Sequence, residues 1–384
     1  MTTIAWNERA AAHLLRRAGF GGTQAEIADA VGRGLDRTVD SLLDFPNVSN
    51  DALEARLGSA ALDLATLNGI ARWWLMRMIF TARPLEERLT WFLHDHFATA
   101  FYKVQSAEAM LKQNELLRQS AAGRFDQLTL AISKDPAMLI WLDNWRSRKE
   151  SPNENYAREL LELFSLGHGN YTEADVVAAA RAFTGWTLDR ITLTYRFVDS
   201  FHDHGTKTFL GTSGDLDGGD IVRLACGTEA HGRFIAARVF AAFAHDHPSE
   251  ELVARLARIY LDGGTALLPL VREVLLSPEM YDSATVRSQV RSPVEFAVAA
   301  IRQCGVQSDL TRQIVTALNA QGQVPFNPPD VDGWTSGFGW INSGALLSRM
   351  NLANTIAAAV DSSAGGTPTS ATALVDAMLA RLDL

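Results

Sequence analysis

The chain has 384 residues, of which 47% are hydrophobic and 21% charged, the balance of a soluble globular protein able to bury a substantial core. A formal net charge of −9 and a pI near 5.5 exclude the basic face that sequence-independent nucleic-acid binding needs. Two cysteines, Cys226 and Cys304, are too few for a disulfide framework or a four-cysteine zinc site.

Helical periodicity dominates from the start. Residues 7 to 18 set Ala11, Leu14 and Leu15 against Arg16 and Arg17, and Gly19 to Gly22 stop the helix. Thr23 then offers an N-cap with Glu26 in the capping-box position. An apolar-rich stretch over 68–98 predicts a long helix or a pair broken near Arg83-Pro84, followed by helices over 105–122 and 124–134 and a start at Asp135-Pro136. Ser151-Pro152 precedes a helix that ends at Gly167 to Gly169, and Thr172 with Asp175 opens another over 173–184. Over 189–199 the period changes to two: Ile191, Leu193, Tyr195 and Phe197 alternate with Thr192, Thr194 and Arg196, a half-buried strand that Lys207 to Leu210 can pair as a hairpin. Asp215-Leu-Asp-Gly-Gly-Asp220 lacks the glycine position and terminal glutamate of an EF-hand and predicts a helix N-cap at Asp220. Helices resume over 220–302. Residues 325–345 predict a structured loop, because Phe326, Trp334, Phe338 and Trp340 are costly to expose.

The expected architecture is mainly α: one large bundle-like helical domain over 1–360 with a small β-hairpin insertion at about 188–212, then a low-complexity tail over 361–384 with a short helix over 371–382. No run approaches the about 18 apolar residues that cross a bilayer, so no membrane association is expected. The first residues carry no apolar stretch of a secretion signal, so the expected location is cytoplasmic.

Residues 153–162 hold the densest functional signal. Glu154, Arg158 and Glu162 stand four apart on one helical stripe, and Glu159 lies three before Glu162. Leu160, Leu161, Leu163 and Phe164 beside them seek the core. Charge next to a core is costly unless paired, hydrogen-bonded or holding a metal.

Several segments together resemble one family. They are His13-Leu-Leu-Arg-Arg-Ala-Gly-Phe-Gly, Trp91-Phe-Leu-His-Asp-His-Phe-Ala-Thr, Asp135-Pro-Ala-Met-Leu-Ile-Trp-Leu-Asp-Asn, and Pro152-Asn-Glu-Asn-Tyr-Ala-Arg-Glu-Leu-Leu-Glu with the Leu-Phe-Ser-Leu-Gly after it. Gly169-Asn-Tyr-Thr-Glu-Ala-Asp-Val, Arg181-Ala-Phe-Thr-Gly-Trp, His202-Asp203 with Lys207 and Gly211, and Asn327-Pro-Pro-Asp-Val-Asp-Gly-Trp complete the set. In this order they resemble the bacterial domain-of-unknown-function family 1800. The resemblance implies a largely helical fold, frequent export, and pairing with a second family that looks like sulfatases, hence a sulfatase-like protein partner. It supplies no reaction. This chain departs from the pattern in lacking an export leader and in carrying His204 after His202-Asp203.

Ligand chemistry follows from the residue types. His94 and His96 flank Asp95, but in a regular helix positions two apart point roughly 200° apart, so they chelate one ion only if the helix end frays. With Glu154, Glu159, Glu162 and His202 the chain has the imidazoles and carboxylates of a mono- or dinuclear site for iron or manganese, although the Glu-x-x-His spacing of helical di-metal sites is missing. Arg158 and Lys207 would bind or neutralise substrate and Asp203 would orient His202. The expected function is a metal-dependent enzyme acting on a small molecule or peptide, redox favoured over hydrolysis. The alternative is a non-catalytic partner or scaffold in which Glu154, Arg158, Glu159 and Glu162 form a buried salt-bridge network with Arg181 or Arg118. A third reading, a carbohydrate-active enzyme, requires two carboxyls about 5 to 9 Å apart across a cleft. No nucleophile elbow, Walker loop or dinucleotide fingerprint occurs. His245-Asp-His247 suits a helix C-terminus, and Trp334 and Trp340, with Asn327, Asn342 and Asn351, either wall a pocket or anchor their loop.

Overall fold

The computed structural model describes residues 4–360, so the expected helix over 371–382 lies outside the described residues. Within them the chain is mainly α: nineteen α-helices and two small antiparallel two-stranded sheets. Local chemistry sets most helix starts. Thr23 accepts from the Glu26 N–H while Glu26 reaches back to the Thr23 N–H, opening Gln24–Arg33, and Thr172 with Asp175 does the same for Glu173–Ala182. The chain leaves Leu67–Phe80 and restarts as Pro84–His96, with the proline in the first turn, where its missing N–H costs nothing.

Pro84–His96 is the central element. It packs on Glu8–Gly19, Leu35–Leu43, Leu67–Phe80 and Ala107–Ser120. Leu85, Leu89 and Leu93 have no exposed surface, and the helix also buries Glu86, Glu87, Arg88 and Thr90. Gly19 permits the close approach of Glu8–Gly19, since a Cβ there would lie 2.6 Å from the Pro84 Cβ. One apolar core continues from Leu14 to Ile356. No helix among the described residues is long and apolar enough to cross a membrane.

Several local expectations are corrected. The β region is two hairpins rather than one: Trp186–Asp189 pairs with Thr194–Phe197, and Lys207–Phe209 pairs with Thr212–Gly214, not with the earlier strand. Adjacent short strands close locally at the lowest chain-entropy cost. Ile191 therefore falls in an exposed turn instead of a half-buried strand. The N-cap of Gly218–Cys226 is Asp217, with Asp220 as its reciprocal partner one turn on. Phe338 stands 82% exposed, while Phe326 and Trp340 are buried as expected. The acidic helix buries one face only: Tyr156, Ala157, Leu160, Leu161 and Phe164 face the core, and Glu154 faces water. Its second half, Leu160–Ser165, is π-helical.

Candidate functional site

The structure sends the two histidines of the Pro84–His96 helix into different parts of the core, as the angle between them requires. His94 Nε2 accepts from the Phe326 N–H at 3.2 Å, its ring is edge-on to Trp74 at 5.0 Å, and burial pushes its pKa down to about 3. His96 packs among Phe97, Phe125 and Phe164, donates from Nε2 to the Phe164 carbonyl at 3.1 Å, and is held by burial well below the ordinary histidine value. A neutral imidazole that satisfies a backbone group inside the core is the cheapest way to bury it.

Glu154 and Glu162 of the acidic stripe are spent on other partners. Arg158 bonds Glu154 at 3.3 Å and Glu173 at 2.8 and 2.9 Å near the surface. Glu162 accepts from the Tyr171 hydroxyl at 2.6 Å and lies 3.2 Å from His168 Nε2. Glu159 is half-buried, and burial with the nearby charges of Glu162 and Asp332 pushes its pKa up. Neither arginine expected to complete a network with these acids does so: Arg118 serves Glu87 and Arg181 serves Asp203. The paired Asp203, gripped by Arg181 at 2.6 and 3.2 Å, is lowered to about 2 by that hydrogen-bonded guanidinium. It does not orient His202, whose Nδ1 faces the Thr184 carbonyl at 2.8 Å. Lys207 is buried and donates to Asp203 O, Gly205 O and Asp215 Oδ1 at 2.5, 2.9 and 3.0 Å, so its charge is committed to the fold. Of the six expected metal ligands, only His202 stands in a group with metal-holding geometry among the described residues, and its companions are His204 and Asp215.

What the helix does present to solvent is the residue between the histidines. Asp95 lines a cleft of about 360 Å³ together with Trp91 and Phe92 from its own helix, Arg238 from Glu229–Phe243, Glu295 from Pro293–Cys304, and Asp332, Trp334 and Trp340 from the loop before Ser343–Ala359. That loop is fastened to the central helix by backbone donors: Phe326 N–H to His94 and Trp334 N–H to Asp95 Oδ1 at 3.0 Å. Asn327 Oδ1 accepts from the Tyr102 N–H at 3.0 Å. Trp334 stacks on Trp91 with ring centroids 5.2 Å apart and planes 14° from parallel. Gly333 is required at this seam. Its φ is +86° and a Cβ would sit 2.4 Å from Asp95 Oδ1. Gly333→Ala is therefore expected to cost about 1–3 kcal/mol and to unseat Trp334; thermal unfolding and tryptophan emission measure both, and an unchanged melting temperature would refute the close approach.

The charges of the cleft differ in how they are held. Glu295 is bound to Arg88, capped on the Ser292 N–H, and kept at about 2: burial raises it, but Arg88 and Arg17 overcome that. Asp95 has no such counter-charge in contact, and burial pushes it up to about 6 against the pull of the Trp334 N–H and Arg238. Arg238 is lowered by burial, feels Asp95 and Asp332, and makes no hydrogen bond or ion pair among the described residues. Elsewhere Asp135 is also raised, to about 7 by burial, yet it is sealed from solvent and accepts from the Met138 N–H and Gln113 as a helix cap. A raised carboxyl that opens on a cleft is the one chemistry can use.

Sequence reasoning passed over Asp95, Arg238, Glu295 and Asp332. A usable signal was present in the tryptophan-rich loop, since Trp334 and Trp340 do line the cleft, while Asn342 instead caps the Ser343–Ala359 helix. A family model described as "Protein of unknown function (DUF1800)" matches residues 13–383. No curated protein and no solved structure matches.

Proposed function

Because the chain belongs to the DUF1800 family over nearly its whole length, and that family carries no stated reaction, we propose from the cleft alone that it is an acid–base enzyme. Asp95 transfers a proton to or from a polar ligand, and Arg238 holds an anionic group of the same ligand. One observation carries this reading: a carboxyl with a single oxygen tied to the loop and a guanidinium without a hydrogen-bond partner among the described residues line one open cleft. The shift of Asp95 toward neutrality supports it, since proton transfer is most efficient near the working pH.

The ligand class follows from the walls. Trp91, Trp334 and Trp340 offer flat apolar faces, and Thr335 and Ser336 offer hydroxyls, while Gln289, Gln323 and Ser292 are held by partners of the fold. That combination with Arg238 fits a sugar ring bearing a carboxylate, and Asp332 supplies a further carboxylate beside Asp95, Asp246 and the paired Glu295. Purified protein should turn over uronate-containing oligosaccharides and spare neutral ones of equal length, read by mass spectrometry. Asp95→Asn is expected to lower turnover by about 10²–10⁴. Arg238→Gln is expected to raise KM more than it lowers kcat. Wild-type turnover by Asp95→Asn, or no calorimetric binding of any acidic member, would overturn the proposal.

The metal-dependent reading with iron or manganese gains no support at this cleft, because His94, His96, Glu154 and Glu162 have other partners and none of the expected ligands lines it. A non-catalytic partner role is favoured by a single feature, the exposed apolar side chains Phe338, Leu347 and Met350 on and after the turn that carries Trp340. It predicts that a sulfatase-like protein is bound equally by wild type and Asp95→Asn.

A further inference from the structure

The two hairpins carry a second constellation, separate from the cleft and independent of the function proposed for it. We propose that His202, His204 and Asp215 bind one divalent cation of the zinc class, which ties the segment entering Lys207–Phe209 to the segment leaving Thr212–Gly214.

Three features support the site. His202 is buried, and its Nδ1 faces the Thr184 carbonyl at 2.8 Å. A carbonyl only accepts, so Nδ1 carries the proton and Nε2 keeps the lone pair of the neutral ring. This backbone-carbonyl contact is the support that metal-binding histidines commonly have, and it fixes both tautomer and ring orientation. Asp215 is divided between two partners: Lys207 Nζ takes Oδ1 at 3.0 Å, and Oδ2 lies 3.2 Å from His204 Nδ1. The rings of His202 and His204 meet edge-on with centroids 4.8 Å apart. One ligand atom from each of the three residues lies within 4.8 Å of the others. Tetrahedral coordination with bonds near 2.0 Å needs separations of roughly 3.3 Å, which small rotations of the exposed His204 and Asp215 side chains can reach.

The ligand types decide the cation. Two imidazoles and one carboxylate suit zinc and its neighbours, whereas calcium and magnesium demand oxygen. Both nitrogens of His204 face carboxylates, Nδ1 that of Asp215 and Nε2 that of Asp199 at 3.1 Å, so the cation displaces the Nδ1 proton, Asp199 keeps the Nε2–H in place, and water supplies the fourth ligand. The Lys207 ammonium opposes the cation and limits the affinity, but by engaging Oδ1 it also holds the Asp215 carboxylate in place. The His245-Asp246-His247 segment, whose Asp246 lines the cleft, is the rival location for any bound metal, which makes it the control.

Full-length protein stripped with a chelator and dialysed should take up one equivalent of Zn²⁺ in competition with a chromophoric chelator. His204→Ala and Asp215→Asn should each weaken uptake by at least about tenfold. His247→Ala should leave it unchanged. Cobalt should give a visible absorption band that His204→Ala abolishes. His204 is 56% exposed on its side chain, so its removal leaves the fold intact, with circular dichroism as the check. Equal zinc uptake by His204→Ala and wild type, loss of uptake in His247→Ala, or displacement of zinc by excess magnesium would each overturn the assignment.

Discussion

Glu87→Ala should lower the free energy of unfolding by about 3–5 kcal/mol, a large share of the stability of an ordinary domain. Glu87 has no exposed surface. Its carboxylate accepts from Trp74 Nε1 at 2.9 Å, Arg77 Nε at 3.1 Å, and Arg118 Nε and Nη2 at 2.8 and 3.0 Å. Burial alone would raise its pKa, yet Arg118, Arg77 and Trp74 hold it below the ordinary glutamate value. Truncation leaves Arg118, itself buried, without its main counter-charge, and frees the indole that packs against His94 and Phe326 beneath the cleft loop. Chemical denaturation at neutral pH measures the loss. A depressed folded pKa means that this stability is present above the unfolded value and disappears as pH falls through the folded one. The gap between wild type and Glu87→Ala should therefore close in acid. Glu87→Leu combined with Arg118→Leu should recover part of the loss, because no buried charge is then left alone. A deficit under about 1 kcal/mol for Glu87→Ala would mean that water replaces the carboxylate, against the range for broken buried pairs.

This network explains what could and could not be read from the chain. Capping boxes at Thr23 and Thr172 and the break at Pro84 are local, since each depends on residues within one turn, and they fall where the sequence puts them. The mainly helical class with a small β region follows from the same periodicity. The pairing of Lys207–Phe209 does not, because short strands carry too little pattern to choose a partner. The site was harder still. Its acids and arginines come from residues 88 to 332, and nothing local says that Trp334 donates its N–H to Asp95 or that Arg238 arrives beside it. Residue type misled as well. Histidines attract attention as ligands, yet His94 and His96 are neutral packing groups, and the aspartate between them faces the cleft. The acidic helix drew weight because its charges sit beside leucines, but a helix has two faces. Its apolar stripe alone is buried, and Arg158 with Glu173 completes the outer one.

Asp95→Asn should raise stability while removing activity, and pH separates the two effects. The carboxyl is raised from 3.8 to about 6 by burial. A raised folded pKa means that the folded state keeps a proton the unfolded state has already lost. Wild-type stability therefore falls as pH climbs from about 4 to about 6, and the gap of 6 − 3.8 corresponds to about 3 kcal/mol at most. Asparagine does not titrate and can still accept the Trp334 N–H. The variant should match wild type near pH 4 and exceed it by about 1–3 kcal/mol at pH 8. The lower end applies because Arg238 loses the nearby charge and keeps only Asp332. Wild-type turnover should show a limb near pH 6. Activity declining above that pH makes Asp95 the proton donor, and activity declining below it makes Asp95 the base. A variant less stable than wild type at pH 8 would make Asp95 a structural tether for the loop. A variant more stable and inactive would identify a charge kept at the expense of stability, which is the mark of a working site.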